Sequence, residues 1–290
     1  MHVFYDPQCA GYGSSMRPEQ PARVLRSAAY LQSAHPDWTW RVPAAANEET
    51  LLLAHTPGHL QRLSRPVDFD ADTPFFPGIG DHARRAAGAA CAAAEAALAG
   101  QKAFSLMRPP GHHATADQAM GFCYLNQIAI AALQAQNQGA GRVAIWDFDA
   151  HHGNGTEDIL RGRPDVLFAS VHQFPGYPGT GTSSFENCRN WPVRPHTPRP
   201  QHLAALAESW QAVLDFDPGL ILISAGFDAY ARDPITQMTL ETADFAALGG
   251  WLNRSGRPAA AILEGGYSPD LPRLIDAFLA AWAGLPELGR

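Results

Sequence analysis

Five apolar runs in this 290-residue chain end on side chains that can do chemistry. Ala103–Met107 is followed by Arg-Pro-Pro-Gly-His-His (108–113), and Arg142–Phe148 by Asp-Ala-His-His-Gly-Asn-Gly (149–155). His172 follows Val166–Val171, Ala-Gly-Phe-Asp (225–228) follows Leu220–Ser224, and Glu-Gly-Gly-Tyr (264–267) follows Ala259–Leu263. Asp149 and His151 are two residues apart, so an extended backbone points both side chains the same way. Asp228, at another strand end, could supply a third ligand. Three protein ligands with a fourth position open is the pattern of a catalytic zinc site, where bound water becomes a nucleophile near neutral pH. A hydrolase is the natural expectation.

Hydrolysis of an uncharged amide also needs proton transfer and a donor for the developing oxyanion. His112 and His113, on a loop bent by two prolines and a glycine, are candidates for the acid–base work. Tyr267 follows the flexible pair Gly265-Gly266 and can bring a phenol O–H toward the polarised carbonyl. Asp147 and Asn154 flank the metal segment and could each accept one imidazole Nδ1–H, one as a charge and one as a neutral group. That asymmetry would push the two histidine pKa values apart. Each feature alone has a bland explanation: Asp228 could cap a helix, Tyr267 could be a core residue, and His-His or Asp-x-His pairs arise by chance. Chance does not readily bring all of them to strand ends in one chain. His55, His59, His82, His196 and His202 have no such partners and are taken as structural.

The elements that position these groups alternate. The strands His2–Tyr5, Ala103–Met107, Arg142–Phe148, Val166–Val171, Leu220–Ser224 and Ala259–Leu263 are separated by helical patterns. These cover Gln20–Ser33, Glu48–Leu63, Asp81–Ala99, Asn126–Gln136, Pro200–Asp215, Thr242–Arg254 and Asp270–Trp282. Such alternation predicts an α/β fold with a parallel sheet covered by helices on both faces. Ligands in open sheets of this kind bind beyond the carboxyl ends of the strands. No repeat or linker divides the chain, so a single domain over 1–290 is expected.

Lys and Arg number 21 against 28 Asp and Glu, and the net charge of −7 argues against nucleic-acid binding or a polybasic membrane anchor. The longest apolar tract, Ala86 to Leu98, carries Glu95 and falls short of the roughly 20 residues of a membrane span. The N-terminus lacks the pattern of a secretory signal, so a cytoplasmic protein beginning at Met1 is expected. Cys9, Cys91, Cys123 and Cys188 form no CxxC pair, and they are expected to be reduced thiols outside any metal site.

These residues resemble the zinc-dependent histone deacetylase and acetylpolyamine amidohydrolase superfamily. The resemblance covers nearly the whole chain: Pro18–Arg23, Ala54–Thr56, Asp72–Pro74, Arg108–His113, Gly121–Asn126, Asp147–Thr156, Ser170–His172, Pro178–Gly181, Gly226–Ala229, Asp233-Pro234 and Glu264–Tyr267. It implies the arginase/deacetylase fold, a three-layer α/β/α arrangement around a central, mainly parallel eight-stranded sheet. Carried over by position, it implies zinc on Asp149, His151 and Asp228, with His113 as general base and acid. His112 would be an electrostatic partner held by Asp147, and Tyr267 the oxyanion donor. Gly121, Phe122 and Tyr177 would line a narrow channel, with His172 nearby. Asp72 would be a rim aspartate gripping the substrate backbone, with Asp68 and Asp70 as alternative registers. A potassium ion is implied near Asp147, Asp149, His151, Ser170 and Val171.

Asn154 and the Glu-Gly-Gly-Tyr ending resemble the class II and acetylpolyamine branch. The related arginases hold two manganese ions with extra aspartates. Here Gly153 and Tyr230 stand at those positions, which leaves a second divalent ion too few oxygen ligands. For the substrate, the cues conflict. The Ser64–Gly80 connection is short, and Ile235 stands where a polyamine-specific relative has a glutamate, which favours acetyl-lysine in peptides or proteins. Asp233-Pro234-Ile235 followed by a Thr-Leu segment, and the acidic net charge, favour acetylpolyamines. A non-catalytic sensor of acylated ligands is a third alternative, opposed by the presence of Tyr267, both histidines and all three ligands. The oligomeric state is left open.

Overall fold

Val143–Asp147, Leu220–Ala225 and Ala259–Leu263 show no polar–apolar alternation, and each is buried along its whole length. Strands of that kind belong at the centre of a parallel sheet with both faces covered. The computed structural model describes residues 1–285, and there these strands lie side by side. The last five positions of the expected 1–290 domain lie outside the described residues.

In chain order the elements are β1 (His2–Phe4), α1 (Ala22–Ala34), β2 (Thr39–Arg41), α2 (Glu48–Leu51), α3 (Pro57–Arg62) and α4 (Ile79–Leu98). Then come β3 (Ala103–Ser105), α5 (Gln127–Asn137), β4 (Val143–Asp147), α6 (Asn154–Leu160), β5 (Val166–Gln173) and β6 (Cys188–Val193). The chain continues with α7 (Arg199–Asp215), β7 (Leu220–Ala225), α8 (Thr242–Ser255), β8 (Ala259–Leu263) and α9 (Leu271–Ala283). The sheet has eight strands in the order β2-β1-β3-β8-β7-β4-β5-β6, and every pairing is parallel. This is the expected three-layer α/β/α architecture. Among the described residues no helix is long and apolar enough to cross a membrane, and all four cysteines are free and buried.

Helices α4, α5 and α6 cover one face. At Gly88 the segment between β2 and α2 crosses α4 so closely that a Cβ would fall 1.9 Å from the Ala44 carbonyl oxygen. On the other face, α7, α8 and α9 press an aromatic layer against the ends of β4 and β7. Trp146 packs on Trp210 (ring centroids 4.8 Å), Phe148 on Phe278 (5.5 Å) and Phe227 on Phe245 (5.2 Å). The Trp146 indole N–H donates to Ser209 Oγ at 2.9 Å, so the large ring is buried without stranding a donor. Phe148 and Phe227 immediately precede Asp149 and Asp228, so the packed layer anchors the loops that carry the candidate ligands.

The structure departs from the sequence pattern in four places. The single helix expected over Glu48–Leu63 is two, because Pro57 has no amide to continue the first, and Thr56 is extended and caps α3 through His59 N–H. β2 and β6, edge strands rich in polar residues and including Pro192, escape an apolar-run criterion that suits central strands. β5 runs on past Val171 to Gln173, so His172 lies within the strand. α6 begins at Asn154, where the neighbouring glycines suggest only a loop.

Candidate active site

All five of the strands that lead to chemistry-bearing residues are consecutive in the sheet, in the order β3, β8, β7, β4 and β5, and four of them, all but β5, end before those residues. Their loops converge. Glu264, the residue after β8, accepts the backbone N–H of Gly111 at 2.6 Å and of His112 at 3.2 Å, which clamps the His-His loop to the Glu-Gly-Gly-Tyr loop. Asp149 Oδ2 accepts Gly265 N–H at 2.8 Å, and Asp228 Oδ1 accepts Ala150 N–H at 2.8 Å. Glycine is required at these crossings: a Cβ on Gly226 would fall 2.0 Å from Asp149 Oδ2, and one on Gly265 2.3 Å from Asp228 Oδ2.

The metal-candidate atoms of Asp149, His151 and Asp228 lie within 4.8 Å of one another. Both carboxylates are fully buried. Burial and the charge of Asp149 raise the Asp228 carboxyl above its usual range. Burial also opposes charge on Asp149, but His112 and His151 outweigh it and hold that carboxyl well below its usual range. His151 is pushed up to about 10, because the pull of Asp228 and Asp149 exceeds the cost of burial. The cluster therefore draws positive charge strongly. Asp228 Oδ2 lies 2.9 Å from His151 Nδ1 yet accepts no hydrogen bond, so the two atoms face a common centre rather than each other. An orphaned buried carboxylate oxygen beside an imidazole nitrogen and a second carboxylate fits a divalent cation with mixed N and O ligands.

Two histidines flank this cluster in unlike settings. His112 Nδ1 is 3.0 Å from Asp147 Oδ2, and its Nε2 faces Asp149 Oδ1 at 3.7 Å. Burial disfavours its charge, but Asp149 and Asp147 prevail and push it up to about 10. His113 Nδ1 is 2.8 Å from Asn154 Oδ1, whose own amide donates back to the His113 carbonyl. Burial, and the charges of His112 and His151, hold His113 well below its ordinary value. One imidazole is thus built as a cation and its neighbour, with ring centroids 4.0 Å apart, as a neutral base.

Tyr177 lies edge-on to His113 (5.0 Å) and to His151 (6.2 Å), 38% exposed. Gly121 fits between them, since a Cβ there would meet His113 Cδ2 at 2.6 Å and the Tyr177 hydroxyl at 2.9 Å. Phe122, at a left-handed φ of 68°, turns its ring to within 5.8 Å of the Tyr267 ring. Tyr267 is partly buried; burial raises its phenol well above the ordinary value, so the hydroxyl keeps its proton. The structure thus brings Gly121 against His113 and Tyr177, and Phe122 against Tyr267.

Other expected residues stand apart. His172, expected beside the channel, is corrected: it is fully buried, with Nδ1 on Ser170 Oγ (2.9 Å) and Nε2 on the Gly181 carbonyl (3.0 Å), so neither nitrogen is open to a substrate. Ile235 is half-buried in the turn after β7. Asp68 and Asp70 spend their carboxylates on loop amides, accepting Phe75 N–H and the N–H groups of Asp72 and Thr73. Asp72 is exposed and contributes, after burial, Cys123 and Asp70, to raising the Tyr177 phenol. Asp147 faces Ser170 across β4 and β5, and Val171 is next along. His55 and His59 are buried, and each bonds backbone through Nε2, to Asn126 N–H and the Tyr124 carbonyl respectively. Three contributors go unassigned in the sequence reading: Glu264, Asp233 and Arg23. Asp233 accepts Tyr267 N–H, and Arg23 donates to the Gly266 carbonyl while its guanidinium lies 4.8 Å over the Tyr267 ring. The only sequence signal for the first two is their place in Glu-Gly-Gly-Tyr and Asp-Pro.

Comparison with known proteins gives the same picture. The histone deacetylase domain model matches residues 17–282. A protein named probable deacetylase from Methanothermobacter thermautotrophicus is 40% identical over 244 residues, covering 79% of this chain and 74% of its own. Acetylpolyamine amidohydrolase 1 of Pseudomonas aeruginosa is 36% identical over 271 residues, covering 86% and 78%. The crystal structure of the HDA15 HD domain superposes with a TM-score of 0.92 at 31% identity, covering 98% of this chain and 91% of that one. Site geometry, domain match and relatives agree: the chain belongs to the histone deacetylase family and is a hydrolytic deacetylase.

Proposed function

We propose that the protein hydrolyses the amide of N-acetylated amines with a zinc ion held by Asp149, His151 and Asp228. The observation that carries this reading is the pairing of that cluster with two histidines of opposite character, His112 on a carboxylate and His113 on an amide. Zinc bound there would acidify a water molecule and polarise the acetyl carbonyl. The chain's own groups do the rest. Neutral His113 donates its Nδ1–H to Asn154 and presents Nε2 as the base, then returns the proton to the leaving amine. His112, kept charged by Asp147, offsets the negative charge that develops. Tyr267 donates its hydroxyl to the oxygen that becomes anionic. Gly121, Phe122 and Tyr177 hold the acylated arm, and Asp72 grips the substrate at the rim. Potassium would sit near Asp147, Asp149, His151, Ser170 and Val171 as a structural ion.

The role of Asn154 has a testable sign. Asn154→Asp places a carboxylate 2.8 Å from His113 Nδ1, and a negative partner favours the imidazolium. The base is then protonated up to a higher pH. The acidic limb of the kcat/KM profile is expected to move upward by about one unit or more. A limb that stays in place would mean that another group controls it.

Acetyl-lysine in peptides or proteins is the substrate placed first, because Tyr177 stands exposed at the mouth, the connection before α4 is short, and Ile235 is apolar. Acetylpolyamines are the second reading, favoured by the exposed Asp72 beside Tyr177 and by the name of the Pseudomonas relative. Turnover of an acetyl-lysine peptide, acetylputrescine and acetylspermidine by zinc-loaded protein, with Ile235→Glu alongside, decides between them. The peptide is expected to be preferred by the parent. A preference for acetylpolyamines reverses the order, and turnover of none leaves the sensor alternative standing.

A further inference from the structure

We propose that Asp233 is a positioning residue for Tyr267, holding the hydroxyl-bearing ring at the cluster by gripping its backbone. Tyr267 arrives on a loop that has little means of fixing itself. Gly265 and Gly266 precede it, Gly266 with φ of +116°, a conformation that only glycine adopts without strain. Two side chains from elsewhere in the chain supply what the loop lacks. On one side Arg23 Nε donates to the Gly266 carbonyl at 2.7 Å, and its guanidinium covers the Tyr267 ring. On the other, Asp233 Oδ2 accepts Tyr267 N–H at 2.8 Å.

Asp233 is itself held in place. It is 7% exposed, its N–H donates to the Tyr230 carbonyl at 2.9 Å, and its Oδ1 accepts Ile235 N–H at 3.1 Å. Thr236, in the same turn, donates Oγ1–H to the Asp228 carbonyl at 2.5 Å. One short turn after β7 therefore bonds to the backbone of a candidate metal ligand through Thr236 and to the backbone of Tyr267 through Asp233. Asp149 holds the loop at Gly265 and Arg23 holds it at Gly266, but the Tyr267 amide itself is tied, across 34 residues, to the turn after β7 by the Asp233 carboxylate. A displacement of about 1 Å at a catalytic group can cost about a hundredfold in rate, so the grip on Tyr267 should be visible in kcat.

The inference rests on the oxyanion role proposed for Tyr267, and a double-mutant cycle tests the two separately. The zinc-loaded parent, Asp233→Ala, Tyr267→Phe and the double variant are compared for kcat on an acetyl-lysine peptide and on acetylspermidine, with zinc content and circular dichroism as checks on folding. Asp233→Ala is expected to lower kcat about a hundredfold. In the Tyr267→Phe background the same change should cost less than about threefold, because its effect passes through the missing hydroxyl. A parental kcat in Asp233→Ala, or an equal loss in both backgrounds, overturns the positioning role while leaving Tyr267 as oxyanion donor. A parental kcat in Tyr267→Phe overturns both. If the alanine variant does not fold, Asp233→Asn carries the same cycle. Its NH2 takes the place of one of the two carboxylate oxygens that now accept Ile235 N–H and Tyr267 N–H, so the same pattern with a smaller loss is expected, and a parental kcat there also overturns the role.

Discussion

Replacing His113 by alanine is expected to lower kcat/KM by about three to four orders of magnitude while zinc stays at one ion per chain, the upper range for removing a group that moves the proton in the transition state. The expectation follows from position and protonation together. His113 is buried, held neutral by its surroundings and by the charge of its neighbour, and tied through Nδ1 to Asn154, which leaves Nε2 free in a ring whose centroid lies 6.0 Å from that of His151. None of the three candidate ligand atoms belongs to it. Loss of zinc in His113→Ala, measured by metal analysis after gel filtration, would place His113 among the ligands and refute the assignment. A similar deletion at His112 would remove a charge instead of a base. Alanine there leaves the Asp147 carboxylate buried without its partner, so stability as well as rate should suffer.

Tyr267→Phe is expected to lower kcat by about two to three orders of magnitude, the scale of removing one oxyanion donor, with KM little changed. The phenylalanine ring keeps the contacts with Phe122 and Arg23, and only the donor is lost. Burial holds the phenol far above neutral pH, so the residue donates across the working range and the loss should not depend on pH between about 6 and 9. Steady-state kinetics across that range provide the check. A near-parental rate would remove Tyr267 from the chemistry and leave it as a packing partner of Phe122 and Arg23.

Much of this site is legible in the sequence because the controlling physics is local. An apolar run long enough for a central strand ends where the chain leaves the core, so the polar residues after Ile145, Ile223 and Ile262 must lie at strand ends. The spacing of Asp149 and His151 needs no knowledge of the fold. Local rules also explain where the reading stops. His172 ends an apolar run, yet β5 continues through it, because Ser170 and the Gly181 carbonyl satisfy both ring nitrogens and make the imidazole acceptable in the core. Thr39–Arg41 is exposed or half-buried along its length, and nothing in three such residues signals a strand until β1 pairs with them. Asp68, Asp70 and Asp72 are told apart by which of them bonds the loop amides, a matter of the backbone's path between Val67 and Phe75.

By itself the sequence determined the donor types, their arrival at strand ends, and the asymmetry between Asp147 and Asn154 that separates two adjacent histidines. Tertiary structure alone decided which ends meet. β3 and β8 are some 150 residues apart in the chain and neighbours in the sheet, and only that adjacency lets Glu264 clamp Gly111 and His112. Asp233 likewise reaches the Tyr267 amide only because β7 and β8 pair. The reason is physical: strand order is chosen by burying both faces of the sheet beneath α4 and the aromatic layer of α7, α8 and α9. The long-range hydrogen bonds that align the site depend on that order.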